Sequence, residues 1–464
     1  MNLRGLLPHL SRLSDPARWL AAALYALLYL LWLVWPALLL DQVLPIGLGL
    51  LFSTNLLFLV RSRRYLVLPD LLPLLGVLGM WVAPALQYWL EARHWNIGPD
   101  AMHLSAAAYF PIVLPGVLAL GLGTQLGLLG FAGPDGERLE RAVALCSHRK
   151  WVIGSAVIGL IGSWLAPVVP AWANLVAVFL QSFLWVALYQ ALFLSASRFK
   201  YVALGLLLGI VIIQALRGTM FGDLVFGLLI AGLYLQLRQG WGPVRLVLAQ
   251  LVAVLLVGWL LSFKYEYRKT VQADSSNLAL SRQFGLSATR SLRDSSLTVS
   301  INHILARVNQ GNVSALAFDY VPRVQPYVRG ETIRTALLGM LVPRLFWPDK
   351  PRAGGVDNIR RFMGIPHLHY SINIGTLGEA YVNYGPGAAS TLYLFLYGWV
   401  LSALFDLCRR WSDRFPGLFF LLPLVFLPAL TVETDLLIVS NHVFKAGVFV
   451  LGIILALRFK MWPM

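Results

Sequence analysis

The sequence is poor in charged residues. Asp, Glu, Lys and Arg make up only 12% of its 464 residues, whereas soluble domains carry about 25%. Hydrophobic residues make up 58%, and the mean hydropathy is +0.71. This composition excludes an ordinary soluble domain. It indicates a chain that lies in a bilayer, where each helical crossing takes about 20 apolar residues.

Cysteine, nucleotide-binding loops and metal-ligand clusters are also scarce. The two cysteines, Cys146 and Cys408, fall at predicted membrane ends and imply no disulfide framework. No Gly-rich loop of the Walker or dinucleotide type is present, and no Cys/Asp/Glu cluster has ligand spacing. We therefore expect no cofactor and no metal. The excess of 37 Lys and Arg over 21 Asp and Glu is explained below by topology, so no nucleic-acid partner is expected.

Long apolar runs predict an all-helical, polytopic integral membrane protein. The first run, which begins at Trp19, is longer than a signal-peptide core and no small-residue cleavage site follows it. We therefore expect this run to stay as an anchor. The apolar runs that are separated only by Pro170, or only by Arg217 and Gly218, can also be read as re-entrant segments. About twelve transmembrane helices are predicted, at residues 19–40, 43–60, 67–90, 105–131, 151–168, 170–194, 201–216, 219–236, 244–263, 386–407, 417–433 and 436–457.

The charges that flank these crossings predict their orientation. With the amino terminus in the cytoplasm, the segments predicted inside hold 19 Lys and Arg residues. The short segments predicted outside hold two, Arg93 and Arg217. This bias follows the positive-inside rule. Because an error of one crossing would destroy the pattern, we expect an even number of crossings and both termini in the cytoplasm.

One long connection, residues 264–380, breaks this pattern. It holds 15 Lys or Arg and eight Asp or Glu yet must lie outside, which is permitted because long loops translocate largely regardless of charge. Apolar spacing, caps and prolines predict that it folds as a helical cap. Four helices are predicted in it: 297–308, 333–341, a short helix capped by Asp357 and closed by Gly364, and a short helix over 371–385. The predicted divisions are the membrane domain 1–263, the periplasmic loop or cap 264–385, and the carboxyl-terminal membrane helices 386–464.

A stretch of ten residues in this loop, 343–352, joins prolines and aromatics to several cations. Arg344, Lys350 and Arg352 can converge on phosphate oxygens, because Arg offers a planar fork of donors and Lys a point charge. The positive-inside rule does not explain these cations on the outer side. The alternative is a basic loop that lies on anionic lipid headgroups.

A second candidate group follows in the same loop. His367 and His369 can serve as a base or as hydrogen-bond donors. Partial burial near the membrane would raise the pKa of Glu379 toward the range of a general base. The alternative is a structural carboxylate that pairs with an arginine. If the segment 372–384 is helical, one face carries Thr376, Glu379 and Asn383.

Two isolated cations lie at or near the predicted outer ends of crossings. Arg217 sits between two apolar runs and can hold a pyrophosphate or form an ion pair with Asp223. Lys445 lies within the last crossing, where it marks a functional cavity or pairs with Glu433 or Asp435. Two acids at predicted inner ends are expected to be solvated, Asp70 and Asp406.

The motifs of the outer loop resemble a known family. Residues 343–351, with the sequence PRLFWPDKP, and residues 375–385, with the sequence GTLGEAYVNYG, look like the Wzy-type oligosaccharide repeat-unit polymerases. Arg217 with Gly218 is similar to an arginine region in an outer loop of these enzymes and of the related O-antigen ligases. About a dozen helices and a large late periplasmic loop fit the same families.

This resemblance implies a GT-C type membrane glycosyltransferase of the bacterial inner membrane. The growing glycan would pass from undecaprenyl pyrophosphate to a hydroxyl of an incoming lipid-linked repeat unit, on the periplasmic face. The transfer would be inverting and metal-independent, and its product O-antigen or exopolysaccharide. Candidate partners are membrane lipids and a chain-length regulator. The alternatives are an O-antigen ligase and, among non-enzymes, a lipid-linked oligosaccharide flippase.

The resemblance also suggests a role for each candidate residue. Glu379, or else His367 or His369, would accept the proton of the acceptor hydroxyl. Four cations would bind the pyrophosphate and stabilise the charge that develops on it: Arg217, Arg344, Lys350 and Arg352. The side chains expected to contact the sugars or the lipid-linked substrate are Trp347, Tyr370, Tyr381, Asn383 and Lys445.

Overall fold

The structure is a computed structural model that describes residues 15–95, 101–128, 133–170, 174–218, 221–273, 297–342, 346–351, 355–365 and 373–461. Within these ranges every regular element is a helix. In chain order the main helices are α1 (Pro16–Val34), α2 (Val43–Ser62), α3 (Leu68–Glu91), α4 (Ala106–Gly127), α5 (Gly136–Cys146), α6 (Arg149–Leu165), α7 (Asn174–Leu192), α8 (Arg198–Gly218), α9 (Gly222–Gln239), α10 (Pro243–Ala273), α11 (Leu297–Val308), α12 (Gly311–Tyr320), α13 (Glu331–Leu341), α14 (Val356–Met363), α15 (Gly375–Tyr384), α16 (Ala388–Trp411), α17 (Leu418–Leu430) and α18 (Leu436–Met461).

Nine of the described helices are long and apolar enough to cross a membrane: α1, α2, α3, α4, α7, α8, α10, α16 and α18. They coincide with nine of the twelve predicted crossings, which confirms the all-helical, polytopic class. The other three predicted crossings are also helical, as α6, α9 and α17, but fall below this length or apolarity.

Proline divides the first predicted crossing into two helices. Helix α1 ends at Val34, and Trp35 leaves helical geometry with φ −144° and ψ 67°. A second, short helix then spans Pro36–Asp41. Proline lacks a backbone N–H and disfavours helical geometry in the residue before it. One apolar run therefore gives two helices.

Glycines let α4 and α16 pack closely against each other. A Cβ atom added at Gly123 would overlap the carbonyl oxygen of Phe395 on α16. From the other side, a Cβ at Gly398 would lie 2.6 Å from the carbonyl oxygen of Leu120. Small residues at such interfaces allow membrane helices to approach backbone to backbone. Gly123 and Gly398 therefore allow the close packing of these two helices.

Buried ion pairs tie together the predicted cytoplasmic ends of several helices. Arg61 of α2 donates to Asp70 of α3. Arg409 of α16 lies 2.5 Å from Asp135, just before α5, and 3.0 Å from Asp406. The expectation that Asp70 and Asp406 are solvated is wrong, because both are buried. Arginines from their own and neighbouring helices compensate these carboxylates away from water.

Within the connection 264–380, which was predicted to lie outside, the structure describes the end of α10 and five further helices, α11 to α15. The predicted helices at 297–308 and 333–341 are confirmed. Helix α14 follows Gly355 rather than an Asp357 cap, and it ends as predicted at Gly364, whose φ is +66°. Helix α15 begins at Gly375, later than predicted.

The cap and the membrane helices share one hydrophobic core. Phe318 of α12, Phe362 of α14 and Leu377 of α15 belong to the same buried cluster as Tyr109 and Leu114 of α4. Burying this apolar surface favours a cap that is fixed on the membrane helices. Helix α15 therefore lies at the junction between the two parts.

Candidate functional site

Glu379 lies in the middle of α15 and is only 1% exposed. Its Oε1 accepts a hydrogen bond from the Thr332 hydroxyl at 2.9 Å. Its Oε2 accepts from the Tyr393 hydroxyl at 3.2 Å and from the backbone N–H of Leu436 at 2.7 Å. These donors belong to α13, α16 and the first residue of α18. One carboxylate thus joins the cap to two membrane helices.

Asn383 lies one turn after Glu379 and fixes the same group of residues. Its Nδ2 donates to Thr332 Oγ1 and to the carbonyl oxygen of Glu379, both at 2.7 Å. Its Oδ1 accepts from the backbone N–H of Gly330 at 2.9 Å. Thr376, on the same face, donates to a backbone carbonyl just before α18. The prediction that Thr376, Glu379 and Asn383 share one helix face is confirmed.

Burial raises the pKa of Glu379 from 4.5 to about 7. Loss of hydration of the carboxylate is the main cause, the charge of nearby Asp435 adds to it, and the three hydrogen bonds oppose it. Burial also raises the pKa of Asp435, whose carboxylate accepts hydrogen bonds from Asn358 at 2.9 Å and from the Ile438 N–H at 3.1 Å. A carboxyl group with a pKa near 7 can exchange protons at neutral pH.

Two residues that contact Glu379 were missed from the sequence, and a third nearby residue, Asp435, was considered there only as a partner for Lys445. Thr332 and Tyr393 lie 47 and 14 residues away along the chain, and no motif marks either one. Asp435 did carry a signal, because it directly precedes α18 and accepts a backbone hydrogen bond from its first turn. An acidic residue in that position is typical of a helix amino terminus.

Tyr381, which was predicted to contact sugar, is buried among aromatic side chains. It lies two residues after Glu379, about 200° around α15. Its ring centroid is 4.6 Å from that of Phe318 and 5.8 Å from that of Tyr327. Its hydroxyl donates to the Phe318 carbonyl at 3.4 Å. Trp347, predicted to have the same role, is half-buried.

The amine of Lys350 points into the protein. Nζ donates to the carbonyl oxygen of Gly339, to that of Val342 at 3.2 Å, and to Asn441 Oδ1 at 3.3 Å. These carbonyls lie at the carboxyl-terminal end of α13, where a positive charge is favoured by the helix dipole. The described contacts of Lys350 therefore join α13 to α18.

The remaining predicted residues lie elsewhere or outside the described ranges. Arg217 is exposed at the end of α8, and within the described residues it forms no ion pair with Asp223. Lys445 is exposed on α18, while Glu433 pairs with Arg307 at 3.0 Å. The predicted site residues outside the described ranges are Arg344, Arg352, His367, His369 and Tyr370.

The described residues bring together no group of three or more His, Cys, Asp or Glu side chains that could hold a metal ion. Comparison of the chain with protein-family models, with curated proteins and with solved structures gives no match. The chemistry of the site therefore has to follow from its own residues.

Proposed function

We propose that this chain is a glycosyltransferase of the bacterial inner membrane that polymerises oligosaccharide repeat units carried on undecaprenyl pyrophosphate. The cap faces the periplasm in this proposal. The resemblance of residues 343–351 and 375–385 to Wzy-type polymerases supports it. The observation that carries it is the buried carboxyl of Glu379, whose pKa is near 7, at the junction of cap and membrane helices.

In the proposed reaction Glu379 is the final acceptor of the proton from the sugar hydroxyl. Glu379 is buried, but Thr332, which donates to it, is only half-buried. Thr332 Oγ1 takes the proton of the acceptor hydroxyl as it passes its own proton to Glu379 Oε1. The amide of Asn383 holds Oγ1 in place at 2.7 Å. A positioned base of this kind contributes about 10²–10⁴-fold in rate.

The sugar oxygen forms a bond to the anomeric carbon of the donor as the bond from that carbon to the lipid pyrophosphate breaks. The leaving pyrophosphate gains negative charge, which nearby cations stabilise. The cations proposed for this role from the sequence are Arg344, Arg352 and Arg217. Arg329 joins them, because it is exposed three residues before Thr332 and its backbone N–H is fixed on the Asn383 carbonyl at 2.9 Å.

The test uses the purified chain in nanodiscs with lipid-linked repeat units, and the product ladder is sized on gels. Glu379→Gln should lower the polymerisation rate about 10²–10⁴-fold, since the amide accepts no proton. Arg344→Ala should lower it about 10²–10³-fold. Glu433→Gln is the matched control and should keep the rate, because Glu433 is half-buried and pairs with Arg307. Wild-type turnover by Glu379→Gln would remove Glu379 as the base.

The same preparation separates the alternatives. An O-antigen ligase would leave lipid-linked repeats unextended and transfer glycan to an outer-core lipid supplied as acceptor. A flippase would move lipid-linked repeats across a vesicle membrane and form no glycosidic bond. Either result would replace the polymerase proposal.

A further inference from the structure

Helix α13 of the cap exposes an apolar face. Leu337, Leu338 and Leu341 are between 45% and 57% exposed. Together with the exposed Arg334 they follow the i, i+3, i+4, i+7 spacing of a single helix face. Helix α13 is outside the nine candidate membrane spans. An apolar face of this kind on a cap helix indicates a contact with lipid or with another protein.

The opposite face of α13 packs on α18 through small residues. Ala336 and Gly339 are buried there, and the Ser440 hydroxyl donates to the Ala336 carbonyl at 3.4 Å. A Cβ atom at Gly339 would lie 3.3 Å from Leu437. Close packing through small residues is typical of helix pairs in membranes. Helix α13 therefore lies directly on the outer part of α18.

The face of α18 under α13 continues as an open apolar stripe. Leu437 and Asn441 are 8% and 7% exposed, whereas the deeper members of the stripe are 39–56% exposed. An open apolar stripe within a membrane span faces lipid. Asn441 lies five residues into α18, roughly 7.5 Å at 1.5 Å per residue. Helix α13 thus covers the first part of a stripe on α18 whose later part is open to lipid. The stripe consists of Leu437, Asn441, Phe444, Val448, Leu451 and Leu455.

The carbonyl groups at the carboxyl-terminal end of α13 are also satisfied in a way that suits a position next to the hydrocarbon. The last carbonyl groups of a helix have no partner within the helix, and in hydrocarbon no water is present to satisfy them. Lys350 donates to the carbonyls of Gly339 and Val342 from within the protein. The buried amine of Lys350 thus supplies partners for carbonyl groups that hydrocarbon could not satisfy.

We propose that α13 is an interfacial membrane helix. Leu337, Leu338 and Leu341 insert among the acyl chains of the leaflet nearest the cap, and Arg334 reaches the anionic headgroups from the outer end of the same face. Lipid is the occupant because this face adjoins the open stripe of α18. The inference does not depend on the proposed enzymatic function.

The test measures where a nitroxide label on α13 lies. Leu338 is changed to Cys in a full-length background with Cys146→Ser and Cys408→Ser, and the labelled protein is placed in lipid nanodiscs. Power-saturation EPR compares collisions with oxygen, which concentrates in the bilayer, and with a water-soluble nickel complex. We expect the oxygen value to exceed the nickel value at Leu338, as at a control label on Leu451. A label at Arg323, an exposed cap residue, should give the reverse.

Two results would overturn the proposal. A Leu338 label that behaves like the Arg323 label would place α13 in water, and a label that meets neither reagent would place it under another protein chain. A second measurement uses the unlabelled wild-type chain and a phospholipid with a diazirine in its acyl chain. Photolysis should attach this lipid to the peptide that contains residues 337–341, and absence of that adduct would also refute the insertion.

Discussion

Glu379 predicts that the fold loses stability as the pH rises through about 7. The pKa of this carboxyl is about 7 in the folded chain against an ordinary 4.5. Between those values the folded state holds a proton that the unfolded state has released. This contribution is therefore fully present below the lower pKa and is lost above the higher one. At about 1.4 kcal/mol per pKa unit, the difference corresponds to about 3 kcal/mol.

Glu379→Gln should remove this contribution, because the amide keeps an oxygen acceptor but does not ionise. The free energy of unfolding in mixed micelles, measured at about pH 5 and about pH 8, gives the pH dependence of each protein. The wild type should lose about 2–3 kcal/mol more than the variant over this interval, since pH 5 already lies above the lower pKa. Asp435, whose pKa burial also raises, titrates in the same direction, so Asp435→Asn serves as a second variant.

Glu433→Gln is the control for this prediction. Glu433 is half-buried and pairs with Arg307 rather than with the residues around Glu379, so the Glu433→Gln variant should lose as much stability between the two pH values as the wild type. If the wild type and Glu379→Gln lose the same stability between the two pH values, the carboxyl does not hold a proton near pH 7. This result would also refute the proposal that burial raises the pKa of Glu379 enough for it to act as a base.

Two further predictions concern the packing of the membrane helices, and both are checked by unfolding in mixed micelles. Gly123→Ala should lower the free energy of unfolding by about 1–3 kcal/mol, because the new Cβ overlaps a carbonyl of α16. The control Gly154→Ala, with open space around it, should change it by less than about 1 kcal/mol. Equal effects of the two variants would contradict the close contact. Arg61→Met should lower the free energy of unfolding by about 3–5 kcal/mol, since Asp70 stays buried without this partner. The control Arg323→Met removes one partner of an exposed pair and should change it by about 1 kcal/mol or less.

The fold class could be predicted because apolar runs report directly on membrane helices. The lengths of the individual helices were less predictable. Helix α1, for example, ends just before Pro36, inside a continuous apolar run. The burial of Asp70 and Asp406 could not be predicted. Asp70 was expected in water because the sequence does not show that α2 brings Arg61 to it. Asp406 pairs with Arg409 three residues later on its own helix, a spacing that the sequence does show, but only the assembled bundle buries the pair.

The site divides in the same way into local and tertiary parts. Glu379 and Asn383 could be placed on one face because their spacing lies within a single helix. Thr332 and Tyr393 could not, because they reach Glu379 only when α13 and α16 dock on α15. Lys350 was predicted to bind phosphate from its charge. In the folded chain the Lys350 amine instead donates hydrogen bonds to the carbonyls at the end of α13.

The amino-terminal end of α18 connects the proposed site with the proposed membrane contact. Asp435, just before α18, and groups of the first turns of α18 form hydrogen bonds with Asn358, Glu379, Ala336 and Lys350. Helix α13 carries Thr332 at one end and Leu338 six residues later, about 9 Å along its axis. If both proposals hold, the depth of α13 in the leaflet sets the position of the Thr332 hydroxyl that receives the acceptor proton. A lipid-linked acceptor would then approach this hydroxyl from the same leaflet that holds α13.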